Sequence, residues 1–201
     1  QQELAYLVGL SRQRVNEAAR AHLLAFATGA DLDHKAAFYG LTRLAGESDE
    51  RLRARVQLRI KSLAGNGTRE AYELTAMTAS QNVRDARATQ PFPGRVHLLL
   101  WCHDAAQAEA TLATVLAAIN ADDGRPLGVP VTVALARARA INITAAIERE
   151  SGAPADLAQR LVVTLADALA AYARLGRDVH RSWITARLHT AQVAAVRFPD
   201  P

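Results

Sequence analysis

Sulfur is almost absent from this 201-residue chain, which has one cysteine, Cys102, and one methionine, Met77. A lone thiol excludes an internal disulfide framework and every zinc pattern built from several cysteines, so a reducing assembly compartment is compatible with the composition. Lysine is nearly missing too: Lys35 and Lys61 stand alone among basic residues that are otherwise arginine. With abundant alanine, that bias speaks more for base composition than for binding. The net charge of +4 and pI near 9.7 are therefore a weak argument for a nucleic-acid partner. No apolar run approaches the ~20 residues a membrane span requires. Gln1-Gln2-Glu3 opens the chain without the basic and apolar regions of a signal peptide, and a soluble protein is expected. The chain starts without Met, inside what reads as a helix, which predicts that it continues a longer one. GxGxxG, a lysine-bearing phosphate loop, GxSxG and HExxH are all missing, which removes the nucleotide-binding and hydrolase readings most easily seen in a sequence.

What is present is ordinary globular material, 50% hydrophobic and 22% charged, sufficient for one sizeable core or two small ones. Leu4, Leu7, Val8, Val15, Leu23 and Leu24 recur at irregular helical spacing, interrupted by Gly9 and Ser11, and predict two helices. Asp31-Leu32-Asp33 should open a short one after Thr28-Gly29. Ser48 reads as the cap of a further helix with Asp49 and Glu50 in its first turn. Its stripe is Leu52, Val56, Ile60 and Leu63, while Arg51, Arg53, Arg55, Arg59 and Lys61 fall on its other faces as a solvated or partner-meeting surface. Gly65-Asn66-Gly67 stops that helix and Thr68 caps the next, through Tyr72, Leu74 and Met77.

After Ser80 the period changes. Val83 to Thr89 and Arg95 to Trp101 read as a hairpin across Pro91-Phe92-Pro93-Gly94. A helix follows through Leu112, Val115, Leu116 and Ile119, ended by Asp122-Asp123-Gly124, and then a returning strand carries Val129, Val131, Val133 and Leu135. The last segment alternates at Ile141, Ile143, Ala145 and Ile147, continues in a long helix opened by Pro154 and Asp156 with a Leu157, Leu161, Leu165, Leu169 and Tyr172 stripe, and passes Gly176. Asp178 should cap a short helix with Trp183, Ile184 and Leu188 before a strand over 193–198. The expected fold is α+β: a helical region at residues 1–80, then two small α/β sandwich-like subdomains, ββαβ at 81–138 and βααβ at 139–201.

Three constellations could carry chemistry. Cys102-His103-Asp104 has the residue types of a thiol site, but neighbours in an extended segment point to opposite faces, which predicts a strand end with Asp104 capping the following helix. Asp31, Asp33 and His34 lack both the calcium-loop spacing and the paired histidines of a zinc helix, so capping is the expected role. Gly65-Asn66-Gly67-Thr68 has neither a preceding strand nor an adjacent lysine and reads as a linker. No catalytic, cofactor-binding or metal residue is predicted, and no enzyme.

In order, Gly29-Ala30-Asp31-Leu32-Asp33, Tyr39-Gly40, Glu47-Ser48-Asp49-Glu50-Arg51-Leu52-Arg53, Pro91-Phe92-Pro93-Gly94 and Arg125-Pro126-Leu127 resemble the baseplate J-like proteins of contractile phage tails. Two positions depart from that pattern. Lys35 stands where an apolar residue is usual, and Gly65-Asn66-Gly67 replaces an Ala-Gly-Ser type of break. The resemblance implies a structural baseplate wedge component of a phage tail, tailocin or injection system, assembled in the bacterial host cytoplasm and located in the virion, with no cofactor. It also implies an N-terminal assembly segment ahead of residue 1. Expected partners are other wedge and tail proteins and a second copy of the chain, most simply as a homodimer, since Leu4, Leu7 and Val8 look incompletely buried. Neither a membrane nor a specific nucleic acid is expected. The alternative is an Arg-rich nucleic-acid-binding or regulatory domain, which salt-sensitive DNA binding at low micromolar protein would favour.

Overall fold

The computed structural model describes residues 2–63, 65, 67–122 and 124–199, with side chains from Tyr6 onward. The Leu4 side chain and the residues Asn66 and Asp123, read above, lie outside that description. The described chain folds as two compact units, Gln1–Ala136 and Arg137–Pro201.

The first unit begins with four helices, α1 (Gln2–Ala21), α2 (Gly29–Phe38), α3 (Asp49–Ser62) and α4 (Arg69–Ala79). In place of the two expected helices, α1 runs unbroken through Gly9 and Ser11. The serine hydroxyl donates back to the Leu7 carbonyl at 3.0 Å, a mid-helix use of a residue that would otherwise cap. The start of α2 also differs from expectation. It begins at Gly29, so Asp31 and Asp33 lie within the helix, and its first N–H donates to the Asp49 carboxylate at 2.9 Å, twenty residues away. Its end follows from local chemistry: Gly40 at φ +72 lets the Leu41 N–H reach the Ala36 carbonyl and its own N–H reach Ala37, both at 2.9 Å. Leu41 is thereby turned into the core that Leu32, Ala36, Leu52, Val56 and Leu74 share. The expected caps of the next two helices are both made, Ser48 Oγ accepting from the Arg51 N–H and Thr68 Oγ1 from the Ala71 N–H.

Strands β1 (Val83–Phe92) and β2 (Arg95–Cys102) form an antiparallel hairpin across Pro93-Gly94. Helix α5 (Ala108–Ile119) then crosses to β3 (Val131–Leu135), which pairs parallel to β2, so β2 is the central strand. Pro91, which has no N–H to donate, is accommodated because β1 is an edge strand. Leu98 and Leu100 point from β2 into a core that also takes Val83, Ala86 and Ala88 of β1, Tyr72, Ala76 and Met77 of α4, and Val115 and Ile119 of α5. The fourth helix thus belongs to the sheet's core as well as to the helical region. Gly67 is held against the Arg125-Pro126-Leu127 loop: a Cβ there would stand 2.9 Å from Pro126 Cγ.

The second unit carries β4 (Ala146–Arg149), α6 (Leu157–Tyr172), α7 (Arg181–Leu188) and β5 (Val193–Arg197), the two strands pairing antiparallel. Leu157, Leu161, Ile184, Leu188 and Val193 make its core. The alternation from Ile141 predicted a longer strand, but pairing begins only at Ala146 opposite Arg197. Beyond Arg197 the opposing chain reaches Pro199, which has no donor for a ladder, and Ile143 and Ala145 pack on the core without strand structure. Asp178 does not cap α7, whose N-cap is His180. Asp156 occupies the N-cap position of α6 but turns its carboxylate to Arg160 Nε at 2.7 Å. The class is the expected α+β: in the first unit four helices lead into a ββαβ segment, and the second unit runs βααβ.

Candidate functional site

Helix α3 sets the character of the first unit. Helical periodicity placed its arginines on faces open to solvent or a partner; the structure turns most of them inward. Arg55 is 1% exposed, and its guanidinium donates to Glu47 Oε2 at 2.7 Å and to the Thr42 carbonyl at 3.1 Å. Glu47, also buried, accepts from Arg51 on Oε1 at 2.9 Å, while its Oε2 also takes the Leu44 N–H at 3.0 Å. Arg51 then spans the α4–β1 junction through the carbonyls of Met77, Ser80 and Val83, at 2.8–3.1 Å. Burial lowers its pKa, and Glu47 partly offsets that. Arg53 grips the carbonyls of Leu24 and Ala27, while Arg59 takes that of Tyr39. The expected hydrophobic stripe is correspondingly shorter: Leu52 and Val56 are buried, whereas Ile60 and Leu63 are exposed.

The Asp-Leu-Asp turn is built the same way. Arg43 bridges Asp33 and Asp49, each at 2.7 Å, and donates to the Glu47 carbonyl. The hydrogen bond to Asp33 raises its pKa, with Asp49 adding to that effect. Asp49 is held below the usual carboxylate range, first by the Gly29 N–H and then by Arg43. Asp33 is therefore an ion-pair partner, and no group of three metal-competent side chains occurs among the described residues. A depressed carboxylate stabilises the fold above its unfolded pKa, near 3.8, and loses that contribution as pH falls through its lower folded value. Asp49→Asn should lower the melting temperature at neutral pH and flatten the acid side of the stability profile, as thermal unfolding between pH 2 and pH 7 would show.

Cys102 and His103 are separated by the strand end. Burial pushes the Cys102 thiol up and the His103 imidazole down, the latter helped by Arg84 and Arg51, so neither is moved toward a thiolate-imidazolium pair. Asp104 closes the turn before α5, accepting from the Ala106 N–H at 2.8 Å and from Gln107 Nε2 at 2.9 Å; the N-cap itself is Gln107.

The open feature of this unit is α1. None of its described side chains is buried. Its C-terminal part faces α2 across a groove of about 800 Å³, lined by Glu17, Ala18, Ala21, Lys35, Phe38 and Ile60 among others. Lys35, the departure noted in the sequence, closes one end by donating to the His22 carbonyl at 2.8 Å. Leu7 and Leu10 lie on the same side of α1 as Ala18 and Ala21 by helical spacing, so the apolar side continues beyond the groove, with Leu7 55% exposed. Phe38, at the groove's other wall, is 83% exposed. Contiguous exposed apolar side chains of this kind are uncommon on soluble monomers.

Comparison with known proteins gives this surface its context. Residues 1–48, which hold α1, α2 and the turn to the α3 cap, match the baseplate J-like N-terminal domain. Baseplate protein J of Escherichia phage P2 is 34% identical over 218 aligned residues, covering 100% of this chain and 72% of that protein. The chain belongs to the baseplate J family. Its role is accordingly structural, as a part of a phage tail baseplate and hence of the virion tail. No helix among the described residues is long and apolar enough to cross a membrane. The baseplate J signatures map onto the joints of the fold. Asp33 and Asp49 meet at Arg43, Tyr39-Gly40 turns Leu41 into the core, and Glu47 organises Arg51 and Arg55. Neither comparison supports the alternative of an Arg-rich nucleic-acid-binding or regulatory domain.

Proposed function

We propose that this baseplate J protein is a wedge component that self-associates, as a dimer, and joins other tail proteins by side-chain packing and charge complementarity, without catalysis. The observation that carries this reading is α1: a 20-residue helix within the family's N-terminal domain whose Tyr6, Leu7, Val8 and Leu10 stay exposed beside an open groove. Isolated helices gain little stability from propensity alone, and α1 contains Gly9, which costs ~1 kcal/mol against alanine. Packing on a second copy would supply what the unit's own core does not.

Light scattering across a concentration series tests this. The expected result is a monomer–dimer equilibrium that Leu7→Ser with Leu10→Ser shifts at least tenfold toward monomer. A strictly monomeric wild-type chain at high concentration would remove self-association and leave binding to wedge neighbours as the whole of the reading.

A further inference from the structure

The second unit holds a charged surface of its own. Between Ala173 and Thr190 the chain has Arg174, Arg177, Arg181 and Arg187 against a single acid, Asp178. All four arginines are exposed, and none forms an ion pair among the described residues. This contrasts with α3, where the arginines are spent on internal carbonyls and Glu47. Here two of the guanidinium groups lie over a pair of rings. Arg177 Cζ is 4.7 Å from the centre of Tyr172, Arg187 Cζ is 5.3 Å from the centre of Trp183, and the two ring centres are 4.4 Å apart. Arg177 is pinned further by donating to the Tyr172 carbonyl at 3.0 Å.

A guanidinium resting on a ring keeps its charge and its in-plane N–H edge, while the ring restricts its rotamers. Less entropy is then lost when that edge meets an anion, and a carboxylate fits the fork with two parallel hydrogen bonds. Tyr172 and Trp183 rest on each other at a tilt of 33° and each carries a guanidinium, so they take up with their own contacts ring surface that base stacking on single-stranded nucleic acid would use. Ile184 and Leu188, the large aliphatic side chains of α7, are buried and so not presented to a lipid interface.

We infer that the arginine-aromatic surface around Tyr172 and Trp183 docks an acidic segment of another baseplate protein, with carboxylates held by Arg177 and Arg187. The baseplate origin of the partner rests on the structural role given above; the carboxylate chemistry rests on the surface itself.

The test uses the full chain and a fluorescein-labelled glutamate-rich peptide, titrated by anisotropy at low and at physiological salt, with single-stranded oligothymidine and phosphatidylglycerol vesicles in parallel. Expected is salt-sensitive peptide binding that weakens at least tenfold in Arg177→Gln with Arg187→Gln. Arg177→Lys with Arg187→Lys, which keeps the charge but loses the fork, should weaken it severalfold, and the circular dichroism of both variants should match the wild type. Absent peptide binding, equal affinity in the glutamine variant, or tighter binding to the oligonucleotide or vesicles would overturn the inference. Incorporation into assembled tails is scored separately. A chain that binds the peptide through these arginines yet stays out of tails overturns the baseplate origin of the partner; one that enters tails with no arginine-dependent peptide binding overturns the docking surface alone.

Discussion

Glu47→Ala should destabilise the first unit by about 3–5 kcal/mol, the range for removing one partner of a buried ion pair. The variant would leave Arg55 buried without its carboxylate, strip Arg51 of one bond and orphan the Leu44 N–H, three losses from one truncation. Glu47→Gln is the informative companion. It keeps the volume and one acceptor oxygen but removes the charge, so it should fall between wild type and alanine. Replacing both members, Glu47→Leu with Arg55→Met, should recover part of the loss, because an apolar pair of similar bulk avoids the desolvation cost of two ions. Recovery would stay incomplete, since Arg55 also serves the Thr42 carbonyl and Thr78 Oγ1. Urea midpoints for the three variants measure this. If Glu47→Ala unfolds at the wild-type midpoint, the Glu47–Arg55 pair contributes nothing.

Leu161→Asp should abolish the second unit's cooperative transition. Leu161 is one of the five buried residues of a small core, and a carboxylate there has no partner, so desolvation costs several kcal/mol, which so small a unit cannot offset. The sequence pattern treats Leu165 as its equivalent, but Leu165 is only half-buried, and Leu165→Asp should be milder. Arg160→Ala should lie within about 0.5 kcal/mol of wild type, because its pair with Asp156 is exposed. Amide hydrogen exchange over residues 146–197 reads all three. Equal protection in the Leu161→Asp and Arg160→Ala variants would show that the wrong face of α6 has been assigned to the core.

The elements that sequence reading located are those written in short-range chemistry. Ser48 and Thr68 announce helices because a cap bonds an N–H three residues on, and Leu98 and Leu100 announce a half-buried strand because alternation is a property of neighbours. What it missed depends on distance along the chain. The cap of α2 comes from Asp49, and no local pattern at Thr28-Gly29 contains it. The arginines of α3 were read as a solvated face because periodicity assigns charge to water by default. A guanidinium on a three-carbon stem can instead collect carbonyls from loops twenty or thirty residues away. Glu47 was visible in the family signature, and its burial was the missing signal: a carboxylate just ahead of a helix cap can pair with arginines four and eight positions on, one on each oxygen. The strand expected from Ile141 failed for a related reason, since alternation describes one strand and pairing needs another.

The three carbonyls gathered by Arg51 have a consequence for how the first unit comes apart. Met77, Ser80 and Val83 straddle the point where the last helix hands over to the hairpin, and one side chain of α3 clasps both sides of it. A break there would leave Arg51 with Glu47 as its remaining acceptor and take from the carbonyls of Met77, Ser80 and Val83 the charged donor they share. The helices and the sheet therefore share one fate on unfolding, α3, α4 and β1 forming a single cooperative block, and any force entering through one layer is passed to the other across that clasp.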